Sequence, residues 1–249
     1  MNQGNVLDFD ELGMFFGEDY KINEYITVHS PTIGEIVEFG ERNYYQMLSA
    51  LISIPSDRKS QLDDIGIDYE DIDDFTFFYM LTRGLTFEKT HLLLGDVDLS
   101  KMELCKNVEN EQLVMFNKNT GEILDDLAYK KLVGYLRKYH NITPKVEKAA
   151  NKTTKKILIE LDREKIKKEF EKEYKSILKP LISAMMRYPG FKYKSRELKE
   201  CSLYEFMDTV QGAQIYVNST SLLQGSYSGW VDTSKINKKE MNWLRDPSD

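Results

Sequence analysis

The sequence has few cysteines and no long apolar run, and each shortage excludes a class of protein. Cys105 and Cys201 are the two cysteines among 249 residues, and neither has a metal-ligand neighbourhood. Two distant thiols are most often small buried side chains, so a disulfide-stapled scaffold is excluded. The longest apolar runs span only a few residues, which predicts that no helix crosses a membrane. Residues 1–16 lack the basic and apolar regions of a secretory leader, so we expect the protein to stay in a reducing cytoplasm.

What the sequence does have is charge, and its two signs are unevenly distributed. Charged residues make up 30% of the chain, and the net charge is −7. Residues 1–126 carry −17, whereas residues 127–249 carry +10. Two explanations stay open: the halves face each other within one molecule, or one of them attracts an oppositely charged partner. The 41% apolar share is enough for one large core or two modest ones, so intrinsic disorder is excluded.

Apolar residues recur mostly at helical spacing, which predicts a mainly α protein with a small antiparallel β element, an α+β arrangement. A helical N-terminal domain with a β-meander over 102–124 is predicted for residues 1–140. A basic linker and a solvated polar helix (162–175) are predicted for 141–175, and a helical C-terminal region for 176–249. Outside the meander, the one predicted strand lies within 21–28.

Capping residues mark where several helices begin. Thr32, followed three residues later by Glu35, predicts a capping box at the start of a long helix that reaches Ile52. Gly40 indicates a bend or a close contact in that helix. Ser202 predicts a similar start for the last long helix, which should end at a turn over 225–229.

An acidic run over 68–74 precedes another predicted helix. A calcium loop would need alternating oxygen ligands, a central glycine and a terminal glutamate, and the run has none of these. Stabilisation of the helix dipole is therefore favoured over a metal site.

No catalytic motif is present. We therefore expect the protein to have no enzymatic activity and to bind no metal and no cofactor. His29, His91 and His140 stand beside different predicted elements and lack metal-ligand spacing. The segment 225–229 resembles neither a nucleophile elbow, because Tyr227 takes the place of the serine, nor a phosphate-binding loop. An active site assembled by folding around a histidine or Cys201 stays open as a weaker alternative.

The stretch 137–175 holds 13 lysines and arginines against 7 acidic residues, which suggests a contact with an anionic surface. Lys152, Lys155 and Lys156 are the candidate residues. Interleaved glutamates would repel phosphates, and no nucleic-acid-binding motif is present. A nucleic-acid-binding or regulatory role is therefore the alternative hypothesis, and an acidic surface on a second copy is an equally suitable target.

Two segments resemble known proteins as wholes. One is Ile26–Ile36 continuing through Gly40–Tyr45, and the other is Leu222–Gly229 with Ile236-Asn237 and Asn242-Trp243. Both are similar to proteins encoded in the structural modules of tailed bacteriophages of Gram-positive bacteria, in particular tail assembly proteins and chaperones.

This resemblance implies a non-enzymatic protein, in the host cytoplasm or in the virion, that binds other phage structural proteins. A tail assembly chaperone would cover the apolar face of the long tape-measure protein until tail-tube subunits replace it. Such a role needs exposed apolar or aromatic surface, although each aromatic residue could equally belong to the core. The candidate contact residues are Tyr44, Tyr45, Phe77, Phe78, Tyr227, Trp230 and Trp243.

Overall fold

A computed structural model of the chain confirms the mainly α fold with a small antiparallel β element. It describes residues 7–108, 111–229, 232, 234 and 236–246. The α-helices of these residues are α1 Glu11–Phe15, α2 Ile33–Phe39, α3 Glu41–Ile52, α4 Lys59–Asp64, α5 Asp74–Thr82, α6 Phe87–Leu94, α7 Asp126–Tyr139, α8 Lys152–Phe170, α9 Leu178–Arg187 and α10 Leu203–Tyr227. The strands are β1 Tyr20–Lys21, β2 Thr27–Val28, β3 Glu103–Lys106, β4 Leu113–Phe116 and β5 Ile123–Asp125.

The predicted strand within 21–28 is instead a small hairpin. β1 pairs antiparallel with β2, with Tyr20 opposite Val28. The Asn23 side chain accepts hydrogen bonds from the backbone N–H groups of Tyr25 and Ile26, which reverses the chain between the two strands. The β-branched composition predicted extended backbone correctly, but this turn chemistry was overlooked.

The long N-terminal helix is two helices, α2 and α3, joined at Gly40. Gly40 has a φ of 92°, a left-handed conformation that favours glycine, so the bend lies where the sequence predicted it. The capping box is also confirmed: the Thr32 side chain accepts from the Glu35 N–H, and the Glu35 carboxylate accepts from the Thr32 N–H at 2.8 Å. Gly34 packs so closely that an added Cβ would lie 2.9 Å from the Lys199 carbonyl oxygen.

The β-meander forms as predicted, with strand order β3-β4-β5 and antiparallel pairing throughout. Asp125 at its end caps α7 by accepting from the Ala128 N–H at 2.7 Å. Buried residues of α3, α5, α7, the meander and the start of α10 form one continuous apolar core. The segment after residue 198 therefore packs into the same core as the N-terminal elements.

The structure corrects the prediction for 152–175. Helix α8 begins at Lys152, ten residues before the predicted start, because the Asn151 side chain caps it by accepting from the Thr154 N–H. The helix is not wholly solvated, since Ile159 is buried against Leu62, Tyr69 and Phe77. Low apolar content concealed this helix, because one small contact and several ion pairs hold it in place.

Helix α10 begins after Ser202, whose side chain accepts from the Glu205 N–H at 3.1 Å. It continues through Gly225 to Tyr227, so the predicted turn over 225–229 lies mostly inside the helix. The first half of α10 contributes Leu203, Phe206 and Val210 to the core. The proposed domain boundaries at 140 and 175 stay predictions.

Candidate functional site

Three of the candidate contact residues belong to the core. Tyr44, Phe77 and Phe78 are almost completely buried, so they present no surface to a partner. Tyr45 is half-buried beside Tyr44, with ring centroids 5.3 Å apart. The sequence left open that each aromatic residue could belong to the core instead of a contact surface. For these residues the structure favours the core.

Two other candidates are exposed at the C-terminal end of the molecule. Tyr227 is 87% exposed and Trp243 is 51% exposed. Trp230 lies outside the described residues. Tyr227 and Trp243 are therefore the candidate residues with side chains open to a partner.

Three large side chains, of which Tyr216 and Tyr227 are exposed and Leu223 is half-buried, share one side of α10. Tyr216, Leu223 and Tyr227 stand at positions i, i+7 and i+11, which share a side of an α-helix. The Trp243 ring packs edge-on against Tyr216, with centroids 5.9 Å apart and planes at 87°. We call Tyr216, Leu223, Tyr227 and Trp243 the C-terminal aromatic face.

The short 3-10 helix Lys238–Met241 brings Trp243 to this face. The Ser219 hydroxyl of α10 donates to the Glu240 carbonyl at 2.7 Å, and Ser219 is fully buried beneath the contact. Ser219 is also the last buried residue of α10, so the final part of the helix contributes no buried side chain to the core.

The sequence contains a signal for this surface that is a matter of composition and not of a motif. Between Asp208 and Asp232 no residue is charged, in a chain that is 30% charged overall. Exposed helix residues in a soluble protein are ordinarily rich in charge, because charged side chains remain hydrated there. An uncharged and partly exposed helix face is typical of the centre of a protein–protein interface, where charged residues are depleted.

The basic candidates on α8 are placed differently from one another. Lys155 lies 2.6 Å from carboxylate oxygens of both Asp68 and Glu70, which raise the pKa of its ammonium group. Lys152 and Lys156 are exposed, and within the described part of the chain they form no ion pair. Only these two of the three lysines are free to contact an external anion.

A second basic residue of α8 also meets the acidic half. Arg163 contacts Asp64 at 2.7 Å and Asp63 at 3.3 Å. Together with Lys155, it turns the basic side of α8 toward the acidic segment 63–70. At α8 the opposite charges of the two halves therefore face each other within one molecule.

The acidic run 68–74 has two separate tasks. The Asp73 side chain caps α5 by accepting from the Thr76 N–H at 2.9 Å, as the dipole interpretation predicted. Asp68 and Glu70 instead bind Lys155. Among the described residues, no group of three or more His, Cys, Asp or Glu side chains could hold a metal ion.

His29 and Cys201 both have partners within the fold. His29 lies between Asp19 and Glu35, with nitrogen–oxygen distances of 2.8 and 3.2 Å. The Cys201 thiol lies 3.2 Å from Glu205 Oε2. Burial and then this carboxylate raise the pKa of Cys201 to about 12, so the thiolate needed for nucleophilic attack is scarce at neutral pH.

No helix in the described part of the chain is long and apolar enough to cross a bilayer. Comparison of the chain with protein-family models, curated proteins and solved structures finds no match.

Proposed function

We propose that this protein is a non-enzymatic tail assembly protein or chaperone of a tailed bacteriophage, which binds another phage structural protein in the host cytoplasm. The observation that carries the proposal is the C-terminal aromatic face. Tyr216, Tyr227 and Trp243 of this face are exposed, the two tyrosines lie on an uncharged stretch of α10, and Tyr227 and Trp243 were nominated by the sequence.

The composition of this face suits a protein partner. Tyrosine and tryptophan are enriched where interfaces bury the most surface, because they supply large contact areas at a small cost in side-chain entropy. Tyr216 and Tyr227 lie three turns apart on α10, so the face is about 16 Å long at 1.5 Å per residue. A helix presenting anchors along such a line can dock against an apolar groove or a second helix.

The resemblance to tail assembly proteins directs the choice of partner. A tape-measure protein is a long helical chain whose apolar face needs cover before the tail tube assembles around it. The C-terminal aromatic face would cover one segment of that chain, and tail-tube subunits would later displace it. A tail-tube protein is the second partner to be tested, and self-association through the same face is the third.

The test is co-expression of the full chain with the tape-measure protein and, separately, the tail-tube protein of the same phage. Affinity capture should recover a complex with the unmodified chain. A double variant, Tyr216→Asp with Tyr227→Asp, should lower recovery at least tenfold, because it places charge at the centre of the interface. Phe170→Asp is the control, since Phe170 is an exposed aromatic residue at the end of a different helix, α8.

Three results would contradict the proposal. One is the absence of a complex together with normal tails, seen by electron microscopy, in a phage that lacks the gene. Another is equal loss of binding in the control. The third is DNA binding at low ionic strength that weakens steeply with salt and with Lys152→Ala and Lys156→Ala, which would favour the nucleic-acid alternative.

A further inference from the structure

A cavity of about 270 Å³ lies where α3, the end of α7 and the first half of α10 meet. Its volume matches about nine molecules of liquid water, or a ligand of about ten non-hydrogen atoms. Leu48, Ile142 and Met207 provide apolar wall, and Tyr45 and Tyr204 add aromatic rings. Mostly apolar walls with a few convergent polar groups are typical of small-molecule sites.

His140 supplies one of the polar groups of the cavity. Its Nε2 atom lies 3.1 Å from the Tyr44 hydroxyl, which is buried in the core and has no other partner among the described residues. The Tyr44 O–H therefore donates to Nε2, since any other arrangement would leave its hydrogen unpaired. Burial lowers the pKa of His140 to about 3, so the neutral ring carries its proton on Nδ1. That N–H is a donor without a partner in the described structure.

Carboxylates line another part of the cavity. Asp208 of α10 forms no hydrogen bond or ion pair among the described residues, and Asp246 also lines the wall. Burial, followed by the charge of Asp246, raises the pKa of Asp208. The one lysine in the wall, Lys138, is already paired with Glu11 at 2.6 Å. Among the described residues that line the cavity, the Asp208 carboxylate is therefore unpaired and no lysine or arginine is free to pair with it.

We propose that this cavity binds a small amphipathic organic amine. Its cationic end would contact Asp208, its apolar body would lie against Leu48 and Met207, and an acceptor oxygen would receive the hydrogen bond from His140 Nδ1. This site lies on the first half of α10, and it is separate from the C-terminal aromatic face. Binding of an amine in this cavity does not depend on whether the protein has a phage partner.

The test is isothermal titration calorimetry of the full chain with tyramine, which has ten or so non-hydrogen atoms, an ammonium group and a hydroxyl oxygen. We expect saturable binding that is at least tenfold tighter than for two analogues, one with an alcohol and one with a carboxylate in place of the amine. Phenethylamine, which lacks the hydroxyl, should bind more weakly than tyramine because the His140 donor would stay unpaired.

Variants separate the cavity from nonspecific attraction. Asp208→Asn should weaken tyramine binding at least tenfold, whereas Asp71→Asn, a charge-matched change outside the cavity, should leave it unchanged. Ile142→Trp should abolish binding by filling the space while keeping every polar group. Urea unfolding of each variant verifies the fold, and Ile142→Trp decides the matter if Asp208→Asn does not fold.

Several results would overturn the proposal. These are no binding of any amine by the unmodified chain, equal binding of the uncharged analogue, or equal binding by Ile142→Trp. A further arm uses Nα-acetyl-lysine amide, which carries the same ammonium chemistry as a partner's side chain. If this compound binds and the free amines do not, the site receives a protein side chain and the proposal of a small-molecule ligand is wrong.

Discussion

The ammonium group of Lys155 contacts the Asp68 carboxylate at 2.6 Å, although 87 residues separate them in the chain. Glu70, two residues after Asp68, contacts the same ammonium, which also lies 5.2 Å from the centroid of the Tyr69 ring. Lys155 thus joins the acidic and basic halves at one point. Here the opposite charges of the two halves hold α8 against the acidic segment 63–70.

We expect Lys155→Ala to weaken the attachment of α8, because it leaves Asp68 and Glu70 close together without their shared cation. Lys152→Ala is the control, since Lys152 lies on the same helix and is exposed. Urea unfolding should show a lower midpoint for Lys155→Ala only. The difference should shrink in 1 M salt, where exposed charges are screened within about 3 Å. Equal midpoints at low salt would show that this ion pair contributes nothing.

Stability should depend on pH through His29. Burial opposes the charged form of this ring, but the hydrogen bonds that the ring donates to Asp19 and Glu35 outweigh it and raise the pKa of His29 above its ordinary value of about 6.5. A raised folded-state pKa stabilises the protein fully below the unfolded pKa and loses that effect as pH rises through the folded value. The gap in free energy of unfolding between the unmodified chain and His29→Gln should therefore be larger at pH 6 than at pH 9. A gap that grows with pH would contradict this.

Burial of Phe78 predicts a large loss of stability on truncation. Phe78 is 1% exposed and lies 5.1 Å, centroid to centroid, from Tyr129 of α7. Phe78→Ala should lower the free energy of unfolding by about 3–5 kcal/mol, because it removes the ring and leaves a cavity. Tyr227→Ala, at an exposed site, should change it by less than about 0.5 kcal/mol. Chemical denaturation measures both values, and a comparable loss at the two sites would refute the assignment of Phe78 to the core.

The two cysteines should differ sharply in reactivity. Cys201 is buried with a pKa of about 12, whereas Cys105 is exposed on β3. At pH 7.5 iodoacetamide should label Cys105 first, and Cys201 only after denaturation. Mass spectrometry of tryptic peptides identifies the labelled residue. Rapid labelling of Cys201 in the folded protein would reopen the possibility of an active thiol.

Local chemistry explains which parts of the fold were predictable. Thr32 with Glu35, and Ser202, mark helix starts correctly, because a cap satisfies N–H groups within its own few residues. Gly40 marks the bend for a similarly local reason. The start of α8 also has a local signal, the Asn151 cap, but the few apolar residues of the segment concealed it. The remaining support of α8 is tertiary, from the buried Ile159 and the ion pairs with segment 63–70.

The candidate site was less predictable than the fold. Tyr44 and Tyr227 are the same residue type in equally helical surroundings, yet one is fully buried and the other is 87% exposed. Only the packing of distant helices makes that distinction. The absence of charge between Asp208 and Asp232 was visible in the sequence and would have directed attention to α10. The unpaired N–H of His140 depends on Tyr44, 96 residues away, and no local pattern reveals it.

The bridge between Thr32 and Ser202 has a consequence for synthesis of the chain. The Leu203 N–H donates to the Pro31 carbonyl and the Ile33 N–H to the Cys201 carbonyl, so the starts of α2 and α10 complete each other. A ribosome adding 5–20 residues per second would need about ten to thirty seconds to pass from one of these segments to the other. Throughout that interval the newly made N-terminal helices lack the wall that Leu203 and Phe206 provide. During this time the core is incomplete, and its apolar side chains are accessible to the chaperones and proteases of the cell.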